Sequence, residues 1–259
     1  MGNSILSIVI MLLAPFLTVL IPLTVGERYG RKHVRNDKQL NSTLVDSSVT
    51  AAFGLLAFML AFTFQIAAGR YDKRKELLVK EVDHIRTAYL RAGLIHEPIK
   101  SNTRQLMIEY VDLLIDVTNN RTELEEAKAH VMRILDTCWS YTETLAKEDR
   151  SSEVYSLYTG TINDLYSSYN ERVAIVLEYK IPKVVYWVLG LIIVLSMLVL
   201  GYQFGISGKG SMLINVTLSL IFAIVMLLIV LLDYPETGLL KVSQQPLMRL
   251  QTELHHSPH

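Results

Sequence analysis

The chain has 259 residues, of which 51% are hydrophobic and 19% charged, and its formal net charge is zero. That is more apolar and less charged than an average soluble domain, and no basic excess advertises a nucleic-acid partner. One cysteine, Cys138, leaves no intrachain disulfide framework and no cysteine metal cluster; beside Trp139 it reads as a helix-packing residue.

In chain order, Ile5–Val25 is the first of four windows long and apolar enough to cross a bilayer. No Lys or Arg precedes it and no small-residue cleavage site follows, so it reads as a retained helix rather than a secretory signal. Pro15 and Pro22 are expected to bend it. Met1-Gly2-Asn3-Ser4-Ile5 begins like a myristoylation signal, but Leu6 stands where Ser or Thr belongs. Gly26–Ser48 reads as a short polar loop. It holds Asn41-Ser42-Thr43, which, like Asn120-Arg121-Thr122, matches the short glycosylation pattern.

The second window, Val49–Gly69, is free of formal charge and stops at Arg70-Tyr71-Asp72-Lys73-Arg74-Lys75. Its composition exceeds the needs of an anchor. Gly54, Ala57, Ala61 and Ala68 form a small-residue set suited to close helix packing. Phe58, Phe62 and Gln65 follow at helical steps and line one stripe. Two readings stand for that stripe. One is helix packing, with Gln65 bonded to a neighbouring helix. The other is a pore, with an apolar constriction at Phe58 and Phe62 and Gln65 below it. Asp46 opens the span, either as a helix-start acid or, repeated around an axis, as an acidic ring attracting cations.

Residues 70–183 form a polar middle with helical periodicity and no strand pattern. Leu77–Tyr89, Leu106–Val117, Ala127–Trp139 and Val154–Tyr169 predict four helices. Breaks fall near His96-Glu97-Pro98, Thr118-Asn119-Asn120 and Lys147–Ser152. His84 beside Asp83 is a candidate pH sensor. Spans three and four are Val184–Phe204 and Met212–Leu232. Asp233, at the end of the fourth, is costly unless paired or wetted, and is a second pore-mouth candidate. Residues 233–259 read as a tail, turned at Pro235 and Gly238, with an amphipathic piece at the membrane surface or folded back. His255, His256 and His259 do not make a metal site.

With four spans, both termini and the middle share one side. The Lys and Arg residues there (Arg70, Lys73, Arg74, Lys75, Lys80, Arg86, Arg172, Lys180, Lys183, Lys241 and Arg249) outnumber those opposite (Arg28, Arg31, Lys32, Arg35, Lys38 and Lys209). The imbalance predicts that the shared side is cytoplasmic and the membrane the inner one. No phosphate-cradling glycine loop, metalloprotease helix or nucleophile elbow is present, so catalysis and cofactors have no positive support.

These residues resemble the bestrophin-like domain family. Phe53-Gly54-Leu55-Leu56 through Arg70-Tyr71-Asp72-Lys73-Arg74 is similar to its second span. Glu81 and Thr87-Ala88-Tyr89-Leu90-Arg91 resemble its next helix. Arg172, Ile181-Pro182 and Leu200-Gly201-Tyr202 resemble the flanks of span three, and Asp233, Pro235, Gly238, Val242 and Pro246-Leu247 its closing signature. The resemblance implies an all-α membrane protein with four transmembrane helices and a helical cytosolic domain between the second and third. It also implies a homo-oligomeric, pentameric channel for small inorganic ions, with Phe58 and Phe62 in a neck lined by the second span. The acidic calcium clasp of animal bestrophins has no counterpart here, and Tyr71-Asp72 replaces their double Trp. Asp46 tilts the expected selectivity toward cations. Two other readings are a membrane sensor whose helical bundle binds a ligand, and a non-conducting membrane scaffold.

Overall fold

The structure is a computed structural model describing residues 2–36, 42–119, 122–175, 180–208, 210–234, 240 and 242–256. Those residues are helical wherever they are regular: α1 (Gly2–Asn36), α2 (Ser42–Ala92), α3 (Ile99–Thr118), α4 (Leu124–Glu148), α5 (Glu153–Val173), α6 (Lys183–Ser207), α7 (Met212–Asp233) and α8 (Gln245–His256). Four of them, α1, α2, α6 and α7, are long and apolar enough to cross a membrane. The turn at Pro235 and Gly238, the acceptors Asn41 and Asn120, and His259 lie outside the described residues.

The chain divides into two compact units. One comprises Met1–Tyr71 and Lys180–Lys241, the other Asp72–Tyr179 and Val242–His259. In the first unit, Leu23, Leu56, Leu60, Leu189, Ile193, Met197 and Ile229 build the core. Its tightest contact joins α1 to α6 through glycines spaced four apart on each helix. A Cβ on Gly26 would strike the Leu198 carbonyl, and one on Gly30 the Tyr202 carbonyl. Reciprocally, a Cβ on Gly201 would strike the Leu23 carbonyl, and one on Gly205 the Glu27 carbonyl. Lipid tails are as apolar as leucine, so spans associate through such close backbone packing rather than through a hydrophobic drive. The close approach within the protomer thus joins α1 and α6, through glycines that the small-residue reading of α2 did not include.

Two boundaries differ from the sequence reading. The helix of the first span runs unbroken through Pro15 and Pro22 and on to Asn36, so much of the expected loop is helix. The second span and the first helix of the middle region are one 51-residue helix. Of the two placements expected for the tail's amphipathic piece, the structure shows the folded-back one. In α8, Leu247, Leu250 and Leu254 are buried in the core of the second unit, and Gln251 Nε2 donates to Asp112 Oδ1 on α3 at 2.7 Å. The rest of that core comes from α3, α4, α5 and the end of α2, with Ile85, Met107, Tyr110, Leu135, Tyr158 and Leu165 fully buried. Cys138 is buried there too, as its sequence context suggested.

Candidate functional site

Within the first unit α2 shows two contrasting faces. Leu56, Leu60, Thr63 and Ala67 are buried against the protomer's own helices, and Phe53 meets Phe222 of α7 edge-on at 6.4 Å. Gly54, Ala57, Phe58, Ala61, Phe62 and Gln65 are exposed on the other side, whereas Ala68 is half-buried. Phe58 is 64% exposed and Phe62 51% exposed, with their rings stacked 6.3 Å apart. Among the described residues, nothing lies within 4 Å of a Cβ built on Gly54. The stripe and most of the small-residue set are thus exposed among the described residues of the protomer.

At one end of this face lies Asp46. It does not cap the helix, which begins four residues earlier; its exposed carboxylate accepts a hydrogen bond from Gln203 Nε2 at 2.6 Å. Asp233 is the opposite case. Expected to face a pore mouth, it is buried, with its carboxylate 3.6 Å from Arg70 Nη1 and accepting from Tyr186 Oη at 3.1 Å. The backbone N–H of Ile181 points at both of its oxygens at 3.3 Å, so Asp233 also caps the approach to α6. A charge at a span's end is costly alone, and this one is neutralised and bonded instead.

A second buried pair lies in the helical unit. Glu81 of α2 is fully buried, with Arg172 Nε of α5 2.5 Å from Oε2 and Tyr110 Oη of α3 donating to Oε1 at 2.6 Å. Burial raises the Glu81 pKa despite the opposing pull of Arg172 and Tyr110. Burial, then the adjacent carboxylate, pushes the Tyr110 hydroxyl far above the ordinary phenol value. His84 does not pair with Asp83; its Nδ1 lies 3.0 Å from the Asp164 carbonyl, while Asp83 takes Arg86.

Sequence reasoning missed a third cluster. Glu27 lies beyond the first apolar window and was assigned to a loop. It is 7% exposed, pairs with Arg31, and accepts from Asn215 Nδ2 of α7 at 2.6 Å. A Cβ on Gly210 would collide with its side chain. The available signal was the Gly26-x-x-x-Gly30 spacing, a close-packing pattern with Glu27 between its two glycines.

Arg70, Glu81, Arg172, Ile181, Gly201 and Asp233, which carried the resemblance, thus sit within the buried pairs and the close helix contact. No curated protein matches the chain. Among solved structures, two single-site variants of a bacterial bestrophin homologue from Klebsiella pneumoniae superpose with TM-scores of 0.64 and 0.65 at 14% and 13% identity. They cover 96% and 95% of this chain and 97% of each of theirs. A further membrane-protein crystal structure gives 0.66 at 14% identity, over 96% of this chain and 97% of its own. Those likenesses show the fold. The family model for the bestrophin-like domain matches residues 13–247, and the chain is a membrane protein belonging to that family.

Proposed function

We propose that the protein is a homo-oligomeric ion channel, assembled as a pentamer, with the exposed face of α2 turned toward the axis. Gln65 is the observation that carries this reading. It lies five residues, about 7.5 Å of helix, before Arg70 at the end of the apolar run. Its side chain makes no hydrogen bond among the described residues and is exposed in the protomer. An unpaired amide in hydrocarbon costs about 4–8 kcal/mol. Turning Gln65 toward water or another subunit avoids that cost, and this supports a reading in which the stripe it shares with Phe58 and Phe62 faces the same way. Bulky apolar rings around a narrow axis form a neck that gates by dewetting and passes small monovalent ions.

Asp46 sits twelve residues before Phe58, about 18 Å along the helix, where copies around the axis would favour cations. The excess of Lys and Arg on the side of both termini supports an inner-membrane protein with its termini and helical unit in the cytoplasm. Purified protein in liposomes under an ionic gradient tests the reading. Phe58→Ala and Phe62→Ala should each raise flux by widening the neck. Asp46→Asn should lower the cation-to-anion permeability ratio. Flux unchanged by both Phe substitutions would refute the neck. No flux from any variant would leave a non-conducting scaffold as the better description.

A further inference from the structure

A cavity of about 180 Å³ opens in the helical unit between the end of α3, the start of α4 and the end of α5. Leu114, Val117, Ala127 and Val131 supply its apolar wall. Its charged lining residues are Lys128 and Arg172, and no acidic residue lines it among the described residues. Arg172 turns Nε to Glu81, but a guanidinium carries five N–H donors, more than one edge of one carboxylate accepts. Lys128 Nζ is 2.8 Å from Glu125, whose side chain is 80% exposed. A surface pair of that kind holds its lysine weakly and releases it to a better acceptor.

We propose that this cavity binds a small organic carboxylate with a short apolar or aromatic tail. The carboxylate lies on Arg172 and Lys128, matching the planar fork of the guanidinium. The tail displaces water from Leu114 and Val131. Drug-sized ligands occupy sites of about 300–1,000 Å³, so this smaller cavity admits an anion of the size of benzoate and excludes nucleotides and long acyl chains. Inorganic anions lack the tail, and neutral aromatics forfeit both cations. The site stands whether or not the protein conducts ions.

Isothermal titration of the full-length protein in lipid nanodiscs with sodium benzoate tests it. One site per chain is expected, with a Kd of about 0.1–3 mM, in keeping with the binding that so few ligand atoms supply. Sodium acetate and benzyl alcohol should each bind at least about tenfold more weakly, a difference of one decade in Kd. Val131→Phe fills the cavity and should abolish binding. Lys128→Gln, on the rim and outside the core, should weaken it about tenfold. No saturable heat above that of empty nanodiscs, equal binding of benzyl alcohol, or an unchanged Kd in Lys128→Gln would each overturn the proposal. The Lys128 variant carries the test if Val131→Phe does not fold.

Discussion

Replacing Arg172 by Gln removes the cation beside Glu81 and leaves Tyr110 as the carboxylate's hydrogen-bond donor. Glu81 has no exposed surface with which to recover water. Breaking a buried pair from one side costs about 3–5 kcal/mol. Arg172 is 23% exposed, so solvent already screens part of the pair, and the lower end, about 3 kcal/mol, applies. For a chain of this size each kcal/mol moves the thermal midpoint by about 2–4 °C, which gives a fall of roughly 6–12 °C. A Glu81→Gln/Arg172→Gln double variant keeps an acceptor for Tyr110 and carries no buried charge. It should lie within about 1.5 kcal/mol of the parent, because replacing both partners of a buried pair is often neutral.

The pH dependence has a definite sign. A carboxyl whose folded pKa is raised contributes stability that is fully present below its unfolded value and is lost as pH rises through the folded one. Without Arg172 the folded value climbs further, because a cause that lowered it is gone. The deficit of Arg172→Gln relative to the parent should thus be largest near pH 8 and shrink toward pH 5. Thermal unfolding of the purified full-length protein at both pH values reads it directly. A deficit below about 1 kcal/mol, one that does not change with pH, or a double variant as unstable as the single one would refute the reasoning.

Gly201→Val should cost about 3 kcal/mol, the upper end for overpacking, because the atom its side chain meets is the Leu23 backbone. Gly54→Ala, inside α2 with open space around it, should not destabilise the protomer and should raise its stability by up to about 1 kcal/mol, alanine's helix advantage over glycine. The His96 pKa is raised by the Glu97 carbonyl and by Glu148 Oε2, 2.9 and 2.8 Å from its two ring nitrogens. An NMR titration should place it above the ordinary histidine value and show it falling in Glu148→Gln. The contact contributes at low pH and is lost as pH rises through that pKa. Burial pushes the Cys138 thiol up to about 12. Iodoacetamide at pH 8 should therefore modify it at least about 100-fold more slowly in the folded protein than in denaturant, since the thiolate is scarce and enclosed.

Much of this protein was legible along the chain. The four spans follow from apolar runs of bilayer length, since a helix is how a chain satisfies its own backbone in hydrocarbon. The helices of the middle region follow from the spacing of Leu106, Tyr110, Leu113 and Leu114 and their counterparts. The continuity of α2 through Arg70 was not legible. A switch from apolar to charged residues reads as an element boundary, although nothing in Arg70–Lys75 breaks a helix; the polar solvent changes there and the hydrogen-bond ladder does not.

By itself the sequence determined the fold class, the number of spans and the α2 stripe of Phe58, Phe62 and Gln65, because these depend on periodicity within one helix. Only the tertiary structure decided which polar groups meet. Arg70 with Asp233, Glu81 with Arg172, and Glu27 with Asn215 are separated by 163, 91 and 188 positions, and each residue alone reads as a surface or interfacial group. Tertiary structure likewise identified the glycines of α1 and α6 as a close helix contact within the protomer. Small residues only permit two backbones to approach; which helix arrives is set by the packing of the whole unit.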